Sequence, residues 1–171
     1  ERGAATVIAI DGQSARLELA KEMGATHTID LKEFSTPESR VERVKEITGG
    51  LGADVVVGVV GFASAFLEGL QMVKKGGRHL EIGSITSTDT VTISPSKFVH
   101  ARINLIGVGI YDPWILPKIL EFVVRTNERY PYHKITSNHY PLEQIDRAFN
   151  ESEWRGEPGL ETPVTRALIT P

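Results

Sequence analysis

One acidic residue closes a short apolar run near the start of the chain: Thr6-Val7-Ile8-Ala9-Ile10-Asp11. A run of this length, rich in β-branched residues, reads as a strand buried on both faces. An Asp at its carboxyl end stands at the rim of a parallel sheet, where open α/β folds bind ligands. A carboxylate there can accept hydrogen bonds from the 2′- and 3′-hydroxyls of a ribose. That is the acidic element of the dinucleotide-binding pattern, found about 20 residues after a glycine-rich turn. No G-x-G-x-x-G turn precedes Asp11, so the pattern describes a cofactor-binding domain without its first βα unit. A solvated Asp at a strand end is the plainer alternative.

The remaining reactive residue types point to no second chemistry. The five histidines, His27, His79, His100, His133 and His139, show neither H-x-x-x-H nor H-E-x-x-H spacing, so no metal ligand is assigned. A chain with no Cys has no disulfide and no thiolate metal site. Ser64, Ser84 and Ser94 lack the G-x-S-x-G setting of a nucleophile elbow. Lys74-Lys75 reads as the basic end of a helix. Trp114 and Trp154 fit an interface better than a reaction. No residue of this chain is assigned a catalytic role.

Composition sets the frame for these candidates. The 171 residues are 40% hydrophobic and 24% charged, enough for one core, or one domain and a return segment. A formal net charge of −3 offers no basic surface for nucleic acid or an anionic membrane. There is no secretory pattern and no apolar run of about 18 residues, which is compatible with a cytoplasmic protein. The opening residues Glu1 to Ala5 read as the frayed end of a helix and its Gly stop, which suggests truncation.

The elements that must position Asp11 alternate regularly. After Gly12-Gln13-Ser14, a helix is expected over Ala15 to Met23, stopped by Gly24. Thr26 to Asp30 is a short edge strand. Pro37 opens a helix with an apolar stripe of Val41, Val44 and Ile47, ended by Gly49-Gly50. Ala53 to Val60 is the most β-prone run and reads as a central strand. A helix over Phe62 to Val73, stopped by Gly76-Gly77, leads to a strand over Arg78 to Ile82. The β-α-β-α-β-α-β order argues a parallel sheet with helices on both faces. Beyond it come a polar loop over Thr86 to Ile93, a turn capped by Ser94-Pro95-Ser96, and a strand over Ile103 to Tyr111. A helix over Pro113 to Thr126 and an extended Ile135 to Tyr140 follow. Pro141 opens a further helix, Arg155 to Thr162 is a loop, and Arg166 to Thr170 is a last strand.

Taken in order, "LAKEMGATHTID", "GADVVVGVVG", "KKGGRHLEIGS", "INLIGVG", "PLEQIDRAF" and "TRALITP" resemble the medium-chain dehydrogenase/reductase superfamily, and within it the zinc-type alcohol dehydrogenases. The resemblance runs over nearly the whole chain but covers only the C-terminal part of that family's subunit. It implies an α/β fold of the Rossmann type, a doubly wound parallel sheet lacking its first βα unit. The NAD-binding domain is placed at residues 1–109. A return segment, residues 110–171, is expected to pack toward a catalytic domain that would carry the zinc ligands.

The resemblance also implies a set of cofactor contacts. Asp11 would hold the adenosine ribose and favour NAD, since a carboxylate repels a 2′-phosphate. Arg16 would lie near that ribose, although it reads equally as a solvated helix residue. Val60 and Gly61 would pack against the cofactor. Ile82, Gly83 and Ser84 would pass beside the nicotinamide ribose. Main-chain groups of Val108, Gly109 and Ile110 would meet the carboxamide. Arg166 would reach the pyrophosphate, where a guanidinium suits bidentate binding. For most of these an ordinary strand end is the competing reading.

Three further expectations follow. In the sheet order 3-2-1-4-5-6 the first strand is central, so the two N-terminal strands have nothing to join them to Ala53–Val60. The missing strand is expected elsewhere in the protein or in another chain. The parent protein is expected to be an NAD-dependent, zinc-assisted alcohol or polyol dehydrogenase acting on a small alcohol or carbonyl substrate. It would be a homodimer or homotetramer paired through the edge strand Ile103–Tyr111. The rivals are a zinc-free NADPH quinone or enoyl reductase of the same superfamily, a non-catalytic nucleotide-binding fragment, and, less compatible with the C-terminal motifs, a methyltransferase.

Overall fold

The protein is described by a computed structural model over residues 3–83, 88–152 and 166–171. Two compact units divide it: residues 36–113 form one, and residues 1–35 with 114–171 form the other. Every strand pair is parallel, as the α/β alternation requires. Among the described residues no helix is long and apolar enough to cross a membrane.

In the unit of residues 36–113, α2 (Pro37–Ile47) starts as expected at Pro37. Thr36 accepts the Ser39 amide at 3.2 Å and Ser39 returns the bond to the Thr36 amide at 3.3 Å, a reciprocal cap. Val41 and Val44 bury the predicted stripe. Three strands, β3 (Ala53–Gly58), β4 (Val73–Glu81) and β5 (Asn104–Gly107), form one sheet in the order β3-β4-β5. α3 (Ala63–Met72) connects β3 to β4, and α4 (Pro95–Ala101) precedes β5. Arg40 on α2 grips Glu68 on α3 with two hydrogen bonds of 2.6 Å.

This unit differs from the sequence reading in several places, and β5 spans only Asn104–Gly107 of the strand expected over Ile103 to Tyr111. The third helix stops at Met72, and Val73 to Gly77 belong to β4. Val73 pairs with Ala53, a register shift follows, and Arg78 then pairs with Val55. Gly76 supplies a positive φ of 76°. Lys74 therefore does not cap a helix; it pairs with Asp54, whose carboxyl it holds below the ordinary range by hydrogen bond and charge. β3, expected to be central, pairs only with β4 among the described residues, and Val55 and Val57 are half exposed. Ser94 precedes α4 but makes no capping hydrogen bond; its hydroxyl meets that of Ser96 at 2.8 Å.

In the other unit, β1 (Ile8–Asp11), α1 (Ser14–Glu22) and β2 (His27–Asp30) make one βαβ turn. Among the described residues β1 pairs with β2 alone, and it is half buried instead of buried on both faces. α5 (Ile115–Thr126) carries Pro117 in its first turn, where no intrahelical bond is lost. A 3₁₀ turn over Tyr132–Lys134 leads to β6 (Asn138–Pro141), and a second over Leu142–Gln144 leads to α6 (Ile145–Ser152). β6 pairs with β7 (Ala167–Thr170). Leu17, Ile29, Tyr140 and Ala148 are its buried apolar residues. The expected Arg155–Thr162 loop, Trp154 and part of the Thr86–Ile93 loop lie outside the described residues.

Candidate functional site

The candidate site begins with strand ends. Gly58, Glu81 and Gly107 are register partners across β3, β4 and β5, so the three strands finish level. The chain beyond them stays stitched together: Ile82 and Gly83 both donate to the Gly58 carbonyl, at 2.8 and 3.1 Å, and Val108 donates to the Glu81 carbonyl at 2.9 Å. Gly83 lies directly on the Val59–Val60 peptide; a Cβ there would sit 2.6 Å from the Val60 carbonyl oxygen. Gly61 faces the Gly83 carbonyl at ordinary contact distance. Val60, Gly61, Ile82, Gly83, Val108, Gly109 and Ile110 thus share one rim at the carboxyl ends of a parallel sheet. Ser84 lies outside the described residues.

The rim is apolar and open. Val60, Ile82 and Val108 are each partly exposed and Ile110 is wholly so. Nothing stands within 4 Å of a Cβ built on Gly109. The Asp89 carboxylate accepts the first amide of α3, Ala63 N–H, at 2.7 Å. Such a ledge can seat a flat, weakly polar ring while free main-chain groups hydrogen-bond its substituents.

Asp11, Arg16 and Arg166 belong to the other unit. Asp11 ends β1, and its Oδ1 accepts the Gln13 amide at 2.8 Å. Its Oδ2 lies 3.7 Å from Arg16 Nη1 in a loose ion pair, both side chains being about one third exposed. The turn fixes one carboxylate oxygen and leaves the group partly open to solvent, the arrangement needed to accept hydroxyl donors. Arg166 precedes β7; its carbonyl accepts the Ser137 amide at 3.1 Å and the residue is exposed.

A pair beneath the rim was not singled out from sequence. His79 on β4 is fully buried, and its Nε2 lies 3.0 Å from Glu81 Oε2. Phe66 of α3 meets the imidazole edge-on, with ring centroids 5.3 Å apart. Two glycines make the space. A Cβ on Gly69 would come 2.5 Å from the His79 ring, and one on Gly58 would overlap the Glu81 carboxylate. The available signal was His and Glu two residues apart in one strand, which places both on one face of β4. Among the described residues no group of three or more His, Cys, Asp or Glu could hold a metal ion. The residues present therefore do not fit a zinc site, and no step is derived through one.

Residues 1–125 match the family described as zinc-binding dehydrogenase. The chain is 31% identical over 169 residues to 5-exo-hydroxycamphor dehydrogenase of Pseudomonas putida, covering 99% of this chain and 44% of that protein. It is 32% identical over 154 residues to sorbitol dehydrogenase of Bacillus subtilis, covering 88% and 40%. The fold matches the crystal structure of an alcohol dehydrogenase from Thermotoga maritima with a TM-score of 0.82 at 26% identity, over 98% of this chain and 43% of that one. The chain spans less than half the length of these relatives.

Proposed function

The chain belongs to the zinc-binding dehydrogenase family, and on that premise we propose that it is the NAD-binding part of an alcohol or polyol dehydrogenase. Support comes chiefly from Asp11: a partly exposed carboxylate at the carboxyl end of a parallel strand, anchored through one oxygen by the Gln13 amide. Asp11 would accept the hydroxyls of the adenosine ribose, with Arg16 beside it. Val60, Gly61, Ile82 and Gly83 would carry the nicotinamide end, and the main chain of Val108, Gly109 and Ile110 its carboxamide. Arg166 would pair with the pyrophosphate. The glycine at position 83 suits this role, because it lets the rim approach its neighbour's backbone closely.

When bound, NAD supplies the hydride acceptor. The residues of this chain bind and orient it. Polarisation of the alcohol by zinc and the selection of a small alcohol or carbonyl substrate would fall to parts of the parent protein that the relatives have and this match does not cover. The chain by itself is accordingly expected to oxidise no alcohol. β5 is exposed along its length and pairs only with β4 among the described residues. A second copy pairing along that edge would give a homodimer, or a homotetramer of two such pairs.

Calorimetric titration of the chain with NAD and NADP tests the reading. NAD should bind at least about tenfold more tightly, and Asp11→Ala should weaken NAD by about tenfold, the worth of one or two hydrogen bonds to a charged group. A preference for NADP would favour the zinc-free reductase. Binding of neither would overturn the cofactor reading.

A further inference from the structure

A hollow lies at the end of the β3-β4-β5 sheet opposite the rim. The helix of a β-α-β crossover runs back along the sheet, so the last turn of α3, with Leu70 and Gln71, stands at the amino end of β4. Ile103 immediately precedes β5 and marks the amino end of that strand. Between them, Thr92 to Ser94 and the helix α4 close a cavity of about 150 Å³. Leu67, Leu70, Ile93, Phe98 and Ile103 line it with half-buried apolar surface. Gln71, Thr92, Ser94 and Lys97 also line it and are exposed, so they form its mouth. An apolar cavity of about this volume holds one benzene ring.

The mouth carries one sign of charge. The Lys97 side chain has no hydrogen bond or ion pair among the described residues. From Thr90 to Tyr111 the chain carries Lys97, His100 and Arg102 and no Asp or Glu. The one carboxylate of the facing helix α3, Glu68, is held by Arg40 through two bonds of 2.6 Å. An exposed lysine keeps its charge and offers three N–H donors. We propose that this cavity binds a small monocarboxylate with a compact apolar body, of the size of benzoate. The body lies among Leu67, Leu70 and Phe98, and the carboxylate meets Lys97 at the mouth. A neutral ring of the same shape lacks the ion pair, and a small anion without a ring lacks the apolar contact. The proposal is independent of the cofactor reading, because the rim lies at the other end of the strands.

Methyl NMR titrations of the complete chain with benzoate, benzamide and acetate test it. Benzoate should shift the Leu67, Leu70, Ile93 and Ile103 methyl signals saturably, with a Kd of about 10 mM or tighter, the affinity a ligand of that size reaches at ordinary efficiency. Benzamide should shift the same signals about fivefold more weakly, the worth of an exposed ion pair, and acetate should not saturate them. Lys97→Gln, a change at an exposed side chain, should bring benzoate down to the level of benzamide, and Lys97→Arg should restore the difference. Absence of a saturable shift at those methyls overturns the proposal. So does benzamide matching benzoate on the unaltered chain, or a benzoate preference that survives Lys97→Gln. Shifts confined to Ile82, Val108 and Ile110 overturn it as well, since they would place the ring at the rim.

Discussion

The two units of this chain differ in where they keep their ion pairs. In residues 36–113, charged and polar groups are taken inside and paired: Arg40 with Glu68 between two helices, His79 with Glu81 beneath a helix. Neighbours approach so closely there that Gly58, Gly69 and Gly83 have no room for a methyl group, the first two against the side chains of Glu81 and His79 and the third against backbone. The other unit carries ion pairs such as Lys21–Glu18 and Lys134–Glu22 at its surface and, like the first, leaves large apolar residues outside. Val124 on α5 is 78% exposed and Phe149 on α6 is 70% exposed. In the first unit stability depends on shape and on satisfied hydrogen bonds. In the second it depends on a few anchors, and many of its apolar residues contribute little to the fold of this chain.

The largest expected effect is Gly83→Ala. The added methyl would press on the Val59–Val60 peptide, and backbone cannot rotate away as a side chain can. A loss of about 3 kcal/mol is expected in urea denaturation. An alanine that costs less than about 1 kcal/mol would mean the rim is looser than described. Ile29→Ala, at the one apolar side chain with no exposure in the other unit, should cost about 2–4 kcal/mol.

Arg40→Ala should cost about 2–3 kcal/mol by leaving Glu68 buried without its bidentate partner. The double replacement Arg40→Met with Glu68→Leu should recover most of that loss, because the pair's desolvation cost disappears along with the pair. If the double variant is as unstable as the single one, the ion pair does more for this unit than satisfy itself.

Acid should act on the unit containing α6. Glu151 accepts from Tyr140 Oη and Arg147 Nε, each at 2.6 Å, and these two bonds, that of Tyr140 first, hold its carboxyl below the ordinary range. A carboxyl with a lowered folded pKa contributes stability above its unfolded value, about 4.3 for Glu. That contribution is lost as pH falls through the folded value. Protection factors of the β6 and α6 amides should therefore stay constant from neutral pH down to about 4 and fall below it. Tyr140→Phe should move the onset to higher pH; an unmoved onset would assign the acid response elsewhere. The smallest effect is expected for Val124→Ser, within about 0.5 kcal/mol in thermal unfolding. A large loss there would erase the contrast between the units.

Much of the architecture was legible because its signals are local. Pro37, the Val41/Val44 stripe and the β-branched run at Val55-Val56-Val57 depend on neighbours within one turn or one strand, and each element formed where expected. The start of β4 was misplaced because Gly76-Gly77 looks like a helix stop. Only the pairing of Val73 with Ala53, twenty residues away, turns the preceding stretch into strand. The strand ends expected to meet a cofactor lie at one sheet edge because parallel strands of one sheet end at the same level. The His79–Glu81 pair stayed hidden because nothing in the chain indicates that a helix glycine lies over the imidazole.

The sequence by itself determined the class of the fold, the parallel order of its strands and the acidic residue that ends the first of them. Periodicity, turn residues and a carboxylate at a strand end are written in single stretches of chain. Tertiary structure alone decided which of the described strands lie next to each other and that His79 meets Glu81 beneath α3. Those facts depend on contacts between residues far apart in the chain, where close packing and the need to pair every buried polar group choose among arrangements that local propensity leaves equal.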